Sequence, residues 1–187
     1  MYKICKTEQS AARQRELEQG LLRAMTNRRY EDIAIIDLCQ AMGITRKTFY
    51  RYFSGKDGCL YALLDHTMMD FFSASQEPSK KTTGSAIGDL SAFFSFWYSQ
   101  QRLLNALQKS ALMGTLSERA LQLVNRERLL PRHILSWKMN HQQIAAAFAI
   151  SGLYSMISMW HAQNFATPPE QMAQLATTLL THPLIPV

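Results

Sequence analysis

The segment Ile33–Lys56 (IAIIDLCQAMGITRKTFYRYFSGK) constrains the fold of this chain more than any other. A helical pattern over Ile35–Met42 and another over Arg46–Tyr52 are separated by Gly43, which can adopt the backbone angles of a tight turn. Thr45 stands immediately before the second pattern and is a natural N-cap. The segment therefore predicts two short helices joined by a turn, a helix-turn-helix.

The second of these helices is predicted to have two unlike sides. Phe49 and Phe53 are four residues apart and share one face, which can pack on Ile35 and Leu38. The other faces carry basic, hydroxylic and aromatic residues, namely Arg46, Lys47, Thr48, Tyr50, Arg51 and Tyr52. Such a helix suits the DNA major groove, because Arg and Lys can bind guanine edges while hydroxyls and Lys bind phosphates. An ordinary amphipathic helix pair with a solvated basic face is the alternative.

Charge is distributed unevenly along the chain. Residues 1–56 contain 11 Lys or Arg and 6 Asp or Glu, whereas residues 57–187 contain 9 and 8. A basic subregion on a nearly neutral body indicates a polyanionic partner for that subregion. Chance bias on a solvated surface would give the same counts.

The rest of the chain also carries helical patterns, and the predicted class is all-α. No run of alternating apolar and polar residues reaches strand length. A first helix over Glu8–Thr26 places Leu17, Leu21 and Met25 on one apolar face. A polar loop is expected over residues 75–85, and a break at Gly114 is expected before a new helix capped at Thr115. Thr167 is expected to cap a last helix, with Pro168 as its first residue.

The helix-turn-helix residues closely resemble the signature of the tetracycline-repressor (TetR) family. The resemblance rests on Gly43–Phe53 followed by Lys56, with Tyr30, Ile33, Asp37 and Leu38 upstream. It is dense from Leu17 to Leu64 and looser near the C-terminus. It implies a three-helix DNA-binding domain over residues 1–55, and a helical effector-binding and dimerisation domain over residues 56–187.

The resemblance also implies roles for single residues. Arg46 and Lys47 would read base edges, and Thr45 would cap the recognition helix. Phosphate contacts are implied for Thr48, Tyr50, Tyr52 and Lys56, and Arg51 belongs to the same predicted DNA-binding surface. The chain departs from the family pattern at Ala34, where a Thr or Ser usually caps the first helix of the pair. Asp37, in the first turn of that helix, can compensate through the helix dipole.

Two further surfaces are predicted in the C-terminal part. Ile144–Trp160 carries no charged residue and holds many small ones, which favours close helix packing in a homodimer. The interface candidates are Ile144, Phe148, Ser151, Gly152 and Ser155. A purely intramolecular core is the alternative. The candidates for an effector pocket, which would take an apolar or aromatic small molecule, are Phe93, Phe94, Trp97, Tyr98, Met113, Trp137 and Tyr154.

Several other classes of protein lack support in the sequence. There is no P-loop, GxSxG or HExxH motif, so no enzyme, metal site or cofactor is expected. Cys5, Cys39 and Cys59 show no CxxC spacing and indicate a reducing, cytoplasmic compartment. Ile144–Trp160 is at the short limit for a membrane span and lacks flanking basic anchors, so no membrane partner is expected.

The predicted function is a cytoplasmic, dimeric, sequence-specific transcription regulator, acting as a repressor that a small molecule releases from its operator. One alternative is a DNA-binding protein of the same fold with an architectural or protein-partner role and no effector. The other is a helical carrier or enzyme whose basic face is incidental. Effector identity, operator sequence and target genes do not follow from the sequence, nor does redox sensing by a cysteine.

Overall fold

The computed structural model describes residues 1–76, 86–127 and 139–182. The predicted all-α class is confirmed, because within these ranges the only extended pairing is a single bridge between Tyr2 and Phe53. A 3-10 turn spans Tyr30–Asp32. The helices, numbered in order, are α1 (Glu8–Asn27), α2 (Ile35–Ala41), α3 (Arg46–Tyr52), α4 (Lys56–Gln76), α5 (Ala86–Ser99), α6 (Gln101–Lys109), α7 (Met113–Glu127), α8 (Met139–Ala162) and α9 (Pro169–Thr181).

The chain divides into two compact units that alternate along the sequence. Unit one comprises Met1–Thr67 and Arg102–Met113, and unit two comprises Met68–Gln101 and Gly114–Val187. Unit one therefore contains α1 to α3, the first half of α4 and nearly all of α6. The predicted boundary between residues 55 and 56 does not coincide with the limits of these compact units, and the division into a DNA-binding and a regulatory domain stays a prediction.

The core of unit one lies between α1 and the first half of α4. Leu17, Leu21 and Met25 are buried, as their spacing on α1 predicts, and Leu60 and Leu63 of α4 are buried as well. Residues before α1 run across the end of α3, where the backbone N–H of Lys3 donates to the carbonyl of Tyr52 at 2.9 Å. This N-terminal segment of unit one is therefore held against the end of α3.

The sixth helix is joined to the end of α1 by hydrogen bonds. The Lys109 ammonium donates to the carbonyls of Thr26 and Asn27, at 3.2 and 2.9 Å. The Ser110 hydroxyl accepts from the backbone N–H of Tyr30 at 2.9 Å. The two Lys109 bonds satisfy carbonyls that α1 leaves open at its C-terminus, and together with the Ser110 bond they hold α6 in unit one.

Two predicted helix starts are wrong by one to three residues. The break expected at Gly114 lies earlier, because Ala111 adopts a left-handed φ of 56° and α7 begins at Met113. Gly114 and Thr115 therefore lie inside the first turn of α7. In α9, Pro168 is the N-cap and Pro169 the first helical residue. Thr167 makes another contact, since its carbonyl accepts the Trp160 indole N–H at 2.7 Å.

The core of unit two is rich in aromatic side chains. Helix α5 packs against α9, and Phe94, Trp97 and Trp160 are almost completely buried. The rings of Phe94 and Trp160 meet edge to face with centroids 5.7 Å apart. Most of the predicted loop at 75–85 lies outside the described residues, as does Trp137.

Candidate nucleic-acid interface

The turn between α2 and α3 has the conformation that its glycine predicts. Gly43 has a φ of +62°, in the left-handed region that side chains rarely adopt. The backbone N–H of Met42 donates to the carbonyl of Leu38, and that of Ile44 to the carbonyl of Cys39 at 2.9 Å. These bonds close the end of α2 and direct the chain into α3.

Thr45 caps α3, as the sequence predicts. Its backbone is extended, and its hydroxyl accepts the backbone N–H of Thr48 at 3.1 Å. The two threonine hydroxyls lie 3.0 Å apart. The cap satisfies one of the open N–H groups at the start of α3 and so holds Arg46 and Lys47 in the first helical turn.

The inner face of α3 fixes the helix in the core. Phe49 is fully buried, Phe53 is 1% exposed, and their rings lie 5.2 Å apart. Tyr50 meets Phe49 edge to face at 5.8 Å but is itself 46% exposed. Two anchored phenylalanines leave this short helix little freedom to rotate about its axis.

The outer face of α3 presents cations to solvent. Arg46, Lys47 and Arg51 are all exposed, with Tyr50 among them. No described residue forms an ion pair with these three cations. Arg46 lies close enough to the buried thiol of Cys39 that its charge opposes the rise in the pKa of Cys39 caused by burial. The arrangement offers uncompensated positive charge along one side of a rigid helix.

Tyr52 and Lys56 are directed inward in this structure. Tyr52 is 8% exposed. The Lys56 ammonium donates to the carbonyls of Tyr30 and Ile33, at 2.6 and 2.7 Å, with that of Glu31 at 3.4 Å. It also lies 4.4 Å from the centre of the Tyr30 ring. The phosphate contacts that the resemblance implies for both residues stay predictions, and Lys56 has a structural role that the sequence did not indicate.

Tyr30, whose ring lies beside the Lys56 ammonium, also connects to the next helix. Its hydroxyl donates to the Asp57 carboxylate. Burial, with the hydrogen bond and charge of Asp57, raises the pKa of Tyr30 well above its usual range. The phenol donates to Asp57 and so ties the 3-10 turn to the start of α4.

The first helix of the pair lacks the cap that the resemblance leads one to expect. Ala34 is the N-cap of α2 and makes no side-chain cap bond. Asp37, in the first turn, forms an ion pair with Arg28 at 3.1 Å. Its carboxylate therefore links α2 to the residue that follows α1, besides lying near the positive end of the helix dipole.

The effector-pocket candidates fall into three groups. Phe93, Trp97 and Tyr154 lie together, with the rings of Tyr154 at 5.8 Å from Phe93 and 5.5 Å from Trp97. Phe94 and Tyr98 contact Trp160 instead, and Tyr98 is 43% exposed. Met113, half-buried, belongs to unit one. The structure thus brings together one aromatic cluster and leaves Met113 in the other unit.

The dimer candidates all lie on the surface of α8. Ile144 is 70% exposed and Phe148 is 66% exposed, while Ser151, Gly152 and Ser155 are exposed too. Their spacing of three or four residues places them along one side of the helix. Among the described residues, His141–Ala162 is also the one segment long and apolar enough, by length and composition alone, to span a membrane.

Two basic residues near the N-terminus, Lys3 and Arg13, lie outside the set that the sequence predicts to bind DNA. Lys3 and Arg13 line one cleft with Arg51 of α3. The excess of positive charge in the first third of the chain indicates a basic region, but it does not tell which cations come together.

No group of three or more His, Cys, Asp or Glu side chains suited to a metal ion occurs in the described ranges.

Comparison by sequence finds no match: no family model matches the chain, and neither does any curated protein. Comparison of structures gives similar folds. The fatty acid degradation regulator FadR from Bacillus halodurans is 12% identical, with a TM-score of 0.62 over 97% of this chain and 98% of that one. The TetR-family repressor AlkX from Dietzia, implicated in biodegradation of n-alkanes, is 20% identical, with a TM-score of 0.58 over 89% and 92%.

A third similar structure is a dihydroxyacetone kinase operon activator, DhaS. It is 16% identical, with a TM-score of 0.52 over 89% of this chain and 93% of that one. At these identities the likeness concerns the fold. The chain therefore has the fold of TetR-type regulators, and this fold occurs in both a repressor and an activator.

Proposed function

We propose that this chain, which has the fold of TetR-type regulators, is a sequence-specific DNA-binding transcriptional regulator. The observation that carries the proposal is α3, whose inner face is buried through Phe49 and Phe53 while its outer face exposes Arg46, Lys47 and Arg51. A helix held in this way can enter the major groove without losing its place in the core. The three exposed cations, which have no ion-pair partner among the described residues, offer positive charge to a polyanion.

The roles of the outer residues follow from their positions. Arg46 and Lys47 stand in the first turn of α3 and are the proposed contacts to base edges. Thr45, Thr48, Tyr50 and Arg51 flank them and are the proposed contacts to phosphates. The predicted phosphate contacts of Tyr52 and Lys56 require these side chains to exchange their present partners on DNA.

The proposed regulator acts as a homodimer. A single seven-residue recognition helix covers few bases, and regulators of this kind reach adequate affinity by binding two half-sites. The exposed side of α8, with Ile144, Phe148 and the small residues Ser151, Gly152 and Ser155, is the proposed interface. The small residues permit close approach of a second helix, while the two large ones supply apolar area that is open to water in the single chain.

The proposed effector is an apolar or aromatic small molecule. Phe93, Trp97 and Tyr154 supply aromatic surface in unit two, and burial raises the pKa of Tyr154. Two similar folds belong to proteins associated with degradation of n-alkanes and of fatty acids, which are largely apolar compounds. Binding would favour a dimer geometry whose recognition helices no longer match the half-site spacing, which releases the DNA.

The proposed action is repression in the cytoplasm, where chromosomal DNA is accessible. An effector-independent architectural role is the second candidate, because the same basic face of α3 would serve it. A helical carrier or enzyme is the third candidate, and for it the basic face would be incidental. These candidates differ in whether DNA binding is specific, sensitive to salt and reversed by a small molecule.

Fluorescence anisotropy on a set of duplexes tiled across the DNA around the chain's own coding region tests the proposal. We expect saturable binding to one duplex, weakened by salt. Arg46→Ala with Lys47→Ala should abolish preference for that duplex, since both side chains proposed to bind base edges are removed. Arg119→Ala with Arg126→Ala on α7 removes the same charge from unit two and is the matched control, which should leave binding unchanged.

The same assay separates the candidates. Release of the duplex by an n-alkane, a fatty acid or an aromatic acid supports the effector, and a reporter fused to the bound duplex then tells repression from activation. Equal, weak binding to every duplex would favour the architectural role. Absence of binding by the wild-type chain at low salt would contradict DNA binding and favour the carrier or enzyme.

A further inference from the structure

We propose a second DNA contact on unit one, resting on the proposed function: a cleft that binds phosphate groups of the operator backbone beside the segment read by α3. The cleft has a volume of about 640 Å³ and is open to solvent. One wall is the first half of α1, another is the C-terminal end of α3, and Lys3 contributes from the segment before α1. Apart from Arg51 and Tyr52, the residues that line it lie outside α3.

The lining of the cleft is basic. Lys3, Arg13 and Arg51 come from three different segments and meet there, with Glu16 as the carboxylate on the wall. Glu16 is already paired with Arg13. In the described parts of the chain Lys3 and Arg51 have no carboxylate partner, and the Arg51 guanidinium lies 5.6 Å from the centre of the Tyr52 ring. The cleft therefore holds net positive charge that an anion can neutralise.

The cleft continues the proposed DNA-binding face of α3. Lys47 and Arg51 are one helical turn apart, so both lie on the same side of the helix. Lys3 is held at the same place, because its backbone N–H donates to the Tyr52 carbonyl at 2.9 Å and Tyr2 pairs with Phe53. A duplex whose bases meet Arg46 and Lys47 would therefore carry its backbone past Arg51 towards the cleft.

The chemistry of the wall favours phosphate as the anion. Helix α1 starts in the cleft, where Thr7 accepts the backbone N–H of Ser10 at 3.2 Å and keeps its own hydroxyl proton available to donate. The first turn of a helix adds partial positive charge that favours phosphate oxygens. An open cleft admits a continuous backbone, whereas a small free anion would be better held in a closed pocket.

The test is the salt dependence of DNA binding by Lys3→Gln with Arg13→Gln, two residues outside the α3 surface. Removal of one phosphate contact makes the slope of log affinity against log salt shallower by about 0.9. We therefore expect a change of about 0.9 per chain from Lys3, and up to the same again from Arg13 if it exchanges Glu16 for a phosphate. Preference among duplexes should stay as in the wild type, since no base contact changes. Lys6→Gln with Arg23→Gln removes equal charge from unit one outside the cleft and should leave the slope unchanged.

Each outcome bears on the proposal. The phosphate-binding role of the cleft is contradicted if the cleft variant has the same salt slope as the wild type, or if the control variant changes the slope equally. Either result leaves the regulator proposal standing. Absence of binding by the wild type overturns both. If the double variant melts at a lower temperature than the wild type, Lys3→Gln alone keeps the Arg13–Glu16 pair, and its slope should be shallower by about 0.9. A further outcome would also contradict the cleft as a DNA contact: millimolar inorganic phosphate binds in the cleft, but the cleft variants show the wild-type salt dependence of DNA binding. That result would identify a site for a free anion.

Discussion

At the scale of single residues, Lys56 differs most from its sequence-based interpretation. Its ammonium donates to carbonyls of the segment between α1 and α2 and lies over the Tyr30 ring. A carbonyl deprived of a charged donor loses a bond worth about 1.5–3 kcal/mol, less where water can replace it. The lysine therefore holds the entrance to the helix-turn-helix in place, whatever it does on DNA.

Lys56→Met keeps the length of the side chain and removes its donors. We expect the free energy of unfolding to fall by about 1–3 kcal/mol, measured by chemical denaturation. Lys47→Met is the matched control, because Lys47 is exposed on α3 and should change stability by less than about 0.5 kcal/mol. Equal stability of Lys56→Met and the wild type would contradict this structural role of the lysine.

At the scale of elements, the two helices of the helix-turn-helix are capped unequally. Thr45 supplies a side-chain cap to α3, whereas Ala34 supplies none to α2. The backbone of Ala34 is extended and its carbonyl already accepts the N–H of Leu38. A hydroxyl at this position therefore needs no change of backbone to complete the cap.

Ala34→Ser should raise the free energy of unfolding by about 1 kcal/mol, and Thr45→Ala should lower it by a similar amount. Denaturant midpoints of the two variants measure both effects against the wild type. A destabilised Ala34→Ser would contradict the conclusion that this backbone can take a hydroxyl cap without change.

The helix-turn-helix is predictable from the sequence, because its features depend on neighbouring residues. The bounds of α3, the left-handed Gly43 and the Thr45 cap depend on a few neighbouring residues. The break before α7 could not be predicted, because Ala111, a residue that usually favours helix, adopts the left-handed conformation there. The Lys3–Arg13–Arg51 cleft and the inward Lys56 depend on contacts between distant segments, which periodicity does not encode.

At the scale of the whole molecule, the exposed apolar side of α8 requires an explanation. Ile144, Phe148 and Met159 are all more than half exposed, and each lies within the segment that by length could span a membrane. Ser151, Gly152 and Ser155 on the same side leave room for a second helix to approach closely. The proposed homodimer interface would cover this face.

Ile144→Glu should convert a dimer into a monomer, because a carboxylate on each copy would be brought together and desolvated at the interface. Sedimentation equilibrium measures the mass directly. Ile4→Glu is the matched control, since Ile4 is 83% exposed and lies outside α8. A wild-type chain that is monomeric in buffer, or that stays in solution only with detergent, would contradict the proposed interface.

The division of the chain into alternating units bears on how such a protein can be recombined. Helix α6 belongs to the same compact unit as the helix-turn-helix, although residues 68–101 of the other unit intervene. A single genetic crossover after α4 would therefore join the helix-turn-helix of one protein to α6 of another protein. Exchange of unit one as a whole would therefore need three crossovers, at the junctions 67/68, 101/102 and 113/114, or compensating changes where Lys109 and Ser110 contact the end of α1 and Tyr30.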